Sequence, residues 1–473
     1  MLVRRHIILL VCGTLAAVTL ALVPTSSTAA PAGTIAASAE EPTQPRNAVR
    51  PRGAGPPPVN TVLPTGSYFS YLKRSTADRT AIRNRVVRAI NSTWGWYYRP
   101  VRKDPAWPNR ISGWTKHRGA IQMTTWSFND WGVRDALVRA AARGTMVRII
   151  AAKGVNTTEG YRPWKSLKAS LNSATNRRRG NWARECGGAC RGAGGAPHSK
   201  YFIFKDMGRG VADRTRPRLA NVTMQTSMNL TAFAYNGQWN QATVTQGSAV
   251  ASHFRTIFNL SAVKRRGTSR TWTTGAITDM FFPKGGAADP VIRALNQVSC
   301  SGGTRVRVIQ YAIHGARGNQ VAKKLRSLWG RGCDVRIIYS ISSRPVLSIL
   351  RSRSGRGAIP VRQQVIKNRA GEVVKYNHSK WLAIHSRARG SWLAHAGSAN
   401  WSDLAFRSDE QMQNLRGFSR VNPFFRAFDR TWSQGTARTP SFGRTYVGGR
   451  LVPATPEQPK YGEGMLRHLT ELG

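Results

Sequence analysis

Two tripeptides carry the first chemical signal: His198-Ser199-Lys200 and His378-Ser379-Lys380. Each runs straight into an apolar stretch, Tyr201 to Phe204 and Trp381 to Ile384. On a strand, positions i and i+2 share a face, so each histidine is expected to project beside its lysine. With 9 histidines in 473 residues, one such spacing is ordinary coincidence, but its recurrence is not. Downstream of each tripeptide a serine and an asparagine stand two apart, Ser227 with Asn229 and Ser398 with Asn400. Amide and hydroxyl donors beside lysines describe a pocket for a tetrahedral oxyanion, where fixed donors stabilise charge. Two histidines can then divide nucleophilic attack and proton donation between them.

The elements that must position these residues repeat as well. Residues 136–150 read ALVRAAARGTMVRII and residues 324–338 read KLRSLWGRGCDVRII, each after a strand-like segment, Ile121 to Thr125 and Ile309 to Ile313. All of these matches hold one ungapped offset of 188 positions. The order in each half is strand, helix, Arg-Gly turn, strand, which predicts a βαβ crossover. Asp130 is the expected N-cap of the first helix, and Asp289-Pro290 the expected start of another. An amphipathic stretch from Ala81 to Ile90 predicts a further helix. The expected fold is therefore α/β, an internal duplication, with a first domain over 67–285 and a second over 286–450.

The paired pattern resembles the phospholipase D superfamily, whose members carry HxKxxxxD followed by GSxN or GSxxN. That resemblance implies two α/β/α sandwich domains with the active site at their pseudo-twofold interface. It also implies that one histidine attacks phosphorus to form a phosphohistidine while the other protonates the leaving alcohol and then activates water. Family preference for the first motif makes His198 the nucleophile and His378 the acid, although the labels can be exchanged. Lys200, Lys380, Asn229 and Asn400 would bind the non-bridging oxygens, supported by Ser227 and Ser398. No metal or other cofactor is implied, because the lysines supply the positive charge. The family aspartate is replaced by Lys205 and His385, with Asp206 one residue late, where a slip on a strand would reverse its face. Thr226 stands where glycine is usual. Glu410 matches a family glutamate that orients a histidine, expected here beside His378, and Asn240 or Gln238 is its uncharged counterpart in the first half.

At the N-terminus, Arg4 and Arg5 precede an apolar run from Ile7 to Val23 and a small-residue exit. This reads as a signal peptide within 1–39, followed by a Pro-rich linker over 40–66, and the expected product is secreted. Residues 451–473 form a C-terminal tail. Beyond Cys12, four cysteines remain, and an oxidising compartment favours local disulfides Cys186–Cys190 and Cys300–Cys333. No histidine cluster flanks these cysteines, which disfavours zinc.

Lys and Arg number 72 against 21 Asp and Glu, a net charge of +51. Such a surface is drawn to polyanions or anionic membranes. A genome that favours arginine codons would give the same excess, so charge names a class of partner and not a function. The expected activity is that of a secreted phospholipase D-type phosphodiesterase, hydrolysing or transphosphatidylating a phospholipid headgroup ester as a monomer at a phospholipid surface. The alternatives are a metal-independent nuclease of the same superfamily, with nucleic acid as partner, and a non-enzymatic polyanion-binding relative.

Overall fold

The computed structural model describes residues 46–51, 57–61, 63–72, 75–153, 161–210, 216–352, 355–370, 372–439, 444–447 and 450–453. The signal peptide, the start of the linker and nearly all of the C-terminal tail lie outside the described residues. Residues from Asn47 onward form one compact unit. Its framework is a seven-stranded sheet and an eleven-stranded sheet.

The two sheets repeat one plan. In the first, Ala120–Thr125 lies parallel to Met146–Ala152, and the helix Trp131–Ala142 makes the crossover. In the second, Arg305–Ile313 lies parallel to Asp334–Ser342 through the helix Gly315–Gly330. Asp130 caps the first of these helices by accepting the Val133 N–H, and Asp289 caps Pro290–Asn296 through Val291. The expected helix at the start of the chain spans Ala81–Ser92. On the other flank of each parallel pair, antiparallel strands follow in the same order. These are Tyr201–Lys205, Val222–Thr226 and Gln241–Gln246 in the first sheet. They are Lys380–Ser386, Ser391–Gly397 and Gln411–Arg416 in the second. Gly66–Phe69 closes the first set antiparallel to Gln241–Gln246, and Ile277–Phe281 closes the second antiparallel to Gln411–Arg416.

That last correspondence shifts the boundary read from sequence. The second copy takes in the hairpin Arg270–Thr274 and Ile277–Phe281, upstream of residue 285. The cue at Asp289-Pro290 marks a helix start inside the copy and not its beginning.

Alternation along the strands sends side chains into separate cores. Ile121, Met123, Val147, Ile149, Phe202, Phe204, Met224 and Val244 share one buried cluster. Val306, Val308, Val335, Ile337, Leu382 and Ile384 share another. Burying such a side chain contributes roughly 1.5–3 kcal/mol. Both expected disulfides are present, Cys186–Cys190 and Cys300–Cys333. Among the described residues no helix is long and apolar enough to cross a membrane.

Candidate active site

His198 sits on the segment just before the strand Tyr201–Lys205, and His378 just before Lys380–Ser386. The histidines therefore precede the strands rather than lying on them. Each lysine turns back on its own motif, with Lys200 Nζ donating to His198 O and Lys380 Nζ to His378 O, both at 2.8 Å. His198, Lys200, Asn229, His378, Lys380 and Asn400 are all at most 3% exposed. The Trp126 ring meets His198 edge-on at 5.7 Å, and Tyr311 meets His378 at 4.7 Å.

Two glutamines join the halves at this point. Gln411 Oε1 accepts the Lys200 N–H at 3.0 Å, while its Nε2 donates to Lys200 O at 3.1 Å and Thr226 O at 3.3 Å. Gln241 repeats this in the other direction, accepting the Lys380 N–H at 3.1 Å and donating to Gly397 O at 2.8 Å. A side-chain amide thus completes the backbone pairing of the opposite motif, which leaves buried N–H and C=O groups satisfied. Sequence reasoning missed both residues. The available signal was that Asn240-Gln241 and Glu410-Gln411 lie at nearly the same remove after Asn229 and Asn400.

The residues before these glutamines orient the histidines across the interface. Glu410 Oε1 lies 2.8 Å from His198 Nδ1, and its Oε2 accepts the Ser398 hydroxyl. Burial pushes the Glu410 carboxyl up, but His198, Lys200 and Ser398 together outweigh it and hold the group below its ordinary value. Glu410 is therefore ionised beside His198. This corrects the expectation that Glu410 would serve His378. The two lie in the same half, and the crossed arrangement hands each histidine an orienting residue from the other copy.

His378 Nδ1 faces Asn240 Oδ1 at 3.3 Å, and Ser227 donates to the same oxygen at 2.9 Å. Asn240 is therefore the counterpart of Glu410, whereas Gln238 donates to the Tyr376 hydroxyl at 2.6 Å. Ser227 and Ser398 also accept the N–H groups of Gln241 and Gln411, both at 3.1 Å. Their hydroxyls orient Asn240 and Glu410.

The departures from the family pattern have local explanations. The strand ends at Lys205, and Asp206 adopts φ 64°, which turns its side chain back inside. There it is buried near Tyr97, whose hydroxyl is pushed above its usual range by burial and by Asp206. His385 stacks on Trp392 at 3.6 Å. At Gly397 an added Cβ would lie 2.1 Å from Gln411 O, so that position needs glycine. Thr226 fits the matching place by donating its hydroxyl to Gln241 O at 2.6 Å.

A further set of contacts fastens the loop that carries His198. The Asp409 carboxylate accepts the N–H groups of Cys190 and Arg191, the latter at 3.0 Å, and its own N–H donates to Ala196 O at 2.8 Å. Ser408 Oγ accepts the Ala196 N–H at 3.1 Å. A Cβ at Gly195 would lie 2.2 Å from Arg407 O, so the two segments lie backbone to backbone. Burial raises the Asp409 carboxyl to about 6. Among the described residues no group of acidic, histidine or cysteine side chains could hold a metal ion.

A duplicated α/β framework that joins two buried His/Lys/Asn sets offers donors from both copies to one tetrahedral oxyanion, the arrangement that phosphoryl transfer needs. The family model described as cardiolipin synthase, PLD-like domain, matches residues 115–261, which hold the first motif. Among solved structures, polyphosphate kinase from Porphyromonas gingivalis is similar at 12% identity, with a TM-score of 0.47 over 86% of this chain. This chain spans 56% of the length of that kinase. Nuc from Salmonella typhimurium, a phospholipase D family member, is similar at 17% identity and a TM-score of 0.26, over 43% of this chain and 96% of Nuc. Yeast tyrosyl-DNA phosphodiesterase is similar at 11% identity and a TM-score of 0.41, over 64% of this chain and 84% of the enzyme. No curated protein matches the chain significantly.

Proposed function

We propose that the chain is an exported phosphodiesterase that cleaves a phospholipid headgroup ester through a phosphohistidine on His198. The observation that carries the mechanism is the pairing of His198 Nδ1 with ionised Glu410. A carboxylate at Nδ1 keeps the proton there and leaves the Nε2 lone pair for attack, while offsetting the charge that forms on the ring. In the first step Nε2 bonds to phosphorus, the ester P–O bond breaks, and a proton from His378 goes to the departing alkoxide. In the second, water gives its proton to His378 and its oxygen attacks phosphorus, which releases His198. Lys200, Lys380, Asn229 and Asn400 provide the donors for the non-bridging oxygens. Headgroup esters are favoured over nucleic acid because one chain supplies both motifs.

The test is to quench the mature protein, with EDTA present throughout, on substrate labelled with ³²P. Acid-labile, base-stable label on His198 and choline release from phosphatidylcholine vesicles are expected. Label on His378 would exchange the two roles, and loss of activity in the chelator would remove the metal-free reading. The net charge of +51 favours a second reading, a nuclease, which nicking of plasmid DNA without choline release would select.

A further inference from the structure

The cationic residues are not spread evenly. Arg118, Arg148, Arg179 and Arg184 gather where the strands Ala120–Thr125, Met146–Ala152 and Trp182–Cys186 begin, the end of the sheet opposite the motifs. Trp126, which touches His198, follows the far end of the first of these strands. Six residues of strand separate the two ends by roughly 20 Å.

Backbone carbonyls hold three of these guanidinium groups in place. Arg118 donates to Gly144 O at 2.7 Å and Arg179 O at 2.5 Å, Arg148 to Gly180 O at 3.1 Å, and Arg184 to Ala262 O at 2.9 Å. The last contact continues the patch into exposed Lys264, Arg265 and Arg266. None of the four arginines pairs with a carboxylate among the described residues. Glu185 alternates to the other face of its strand, where it bonds Trp164 and Lys168. Burial lowers Arg118 and Arg148 below their ordinary values, and the neighbouring arginines lower them further. Like charges held together without an acid repel, and an anionic partner would relieve that repulsion.

Two indole rings lie within this patch. Lys116 Nζ is 4.4 Å and Arg118 4.8 Å from the Trp96 ring, and Arg184 is 4.5 Å from that of Trp182. We propose that this face binds a polynucleotide strand, with phosphates on the clustered cations and bases against the guanidinium groups that lie over the Trp96 and Trp182 rings, the latter backed by Phe258. A bilayer fits it less well. Among the described residues the one large apolar side chain strongly exposed here is Val263, and a bilayer lying on this end of the sheet would face away from the motifs. A flexible strand meets neither difficulty. The inference is independent of what the site hydrolyses.

The test is fluorescence anisotropy of the mature protein with a labelled 20-nucleotide oligothymidylate, whose integrity is checked on a denaturing gel. One variant replaces Lys116, Arg179, Arg184, Lys264 and Arg265 with alanine. A control replaces five exposed cations elsewhere, Lys323, Arg344, Arg387, Arg389 and Arg420. The patch variant is expected to bind at least about 100-fold more weakly and to lose about 3 from the slope of log affinity against log salt. The control is expected to change affinity by less than about threefold. Equal weakening in both variants, or unchanged binding in the patch variant, would overturn the proposal. So would patch-dependent binding of phosphatidylglycerol vesicles without patch-dependent binding of the oligonucleotide.

Discussion

Asn240 stands toward His378 as Glu410 stands toward His198, with its amide oxygen 3.3 Å from the ring Nδ1. Asn240 Nδ2 donates to Ala234 O at 2.8 Å, which fixes Oδ1 as the end facing the imidazole. One histidine is thus oriented by a neutral amide and the other by an ionised carboxylate. The amide sets the tautomer without stabilising an imidazolium.

Asn240→Asp puts a carboxylate of the same shape beside His378 and so stabilises its protonated form. His378 must carry a proton to act as acid. The high-pH limb of kcat/KM is therefore expected to move up by about one unit on an alkyl phosphodiester, whose leaving group needs that proton. A limb that stays in place would remove His378 from that role.

Glu410→Gln acts on the other histidine. Without the carboxylate, nothing offsets the charge that forms on the His198 ring as it attacks, so kcat is expected to fall by about 100-fold or more. A fall of less than about threefold in steady-state assays would show that Glu410 does not assist the attack by His198.

Gln411→Leu leaves the N–H and C=O of Lys200 and the carbonyl of Thr226 without the partner that reaches them from the other half. Lys200 O keeps the Thr226 N–H, so at about 1 kcal/mol or more for each of the other two groups a loss on the order of 2 kcal/mol is expected. Urea denaturation measures it, and a loss below about 1 kcal/mol would show that the two halves hold together without this residue.

Asp409 gives a prediction for stability against pH. Its carboxyl is raised in the fold to about 6, above the unfolded value near 3.8. Its contribution is therefore fully present below pH about 3.8 and lost as pH rises through about 6, a swing on the order of 3 kcal/mol. Asp409→Asn should flatten that part of the urea-midpoint profile between pH 4 and 7. An unchanged slope would show that Asp409 does not titrate in this range.

The parts legible in the sequence were those written in short-range spacing. His198 with Lys200, Ser398 with Asn400, and the caps Asp130 and Asp289 each depend on a few consecutive residues, so pattern alone exposes them. The disulfides were legible because each pair closes a loop within one half. The partner of Glu410 was not, because 212 positions separate it from His198 and only the meeting of the two sheets brings them together. Asp206 was misread because strand alternation says nothing about a residue whose backbone has turned left-handed. The start of the second copy was obscured for a related reason: Ile277–Phe281 declares its allegiance only by pairing with Gln411–Arg416.

The crossed glutamines have a consequence for symmetry. In a homodimer built around one such site, a single sequence must serve both sides, and any residue chosen for one histidine is imposed on the other. Joining the two copies in one chain lifts that constraint. Glu410 and Asn240 show it lifted, since the same place in the fold holds an anion on one side and a neutral amide on the other. Under the proposed mechanism, the division of labour between the two imidazoles is inherited with the gene, rather than decided anew by the order in which identical subunits meet a substrate.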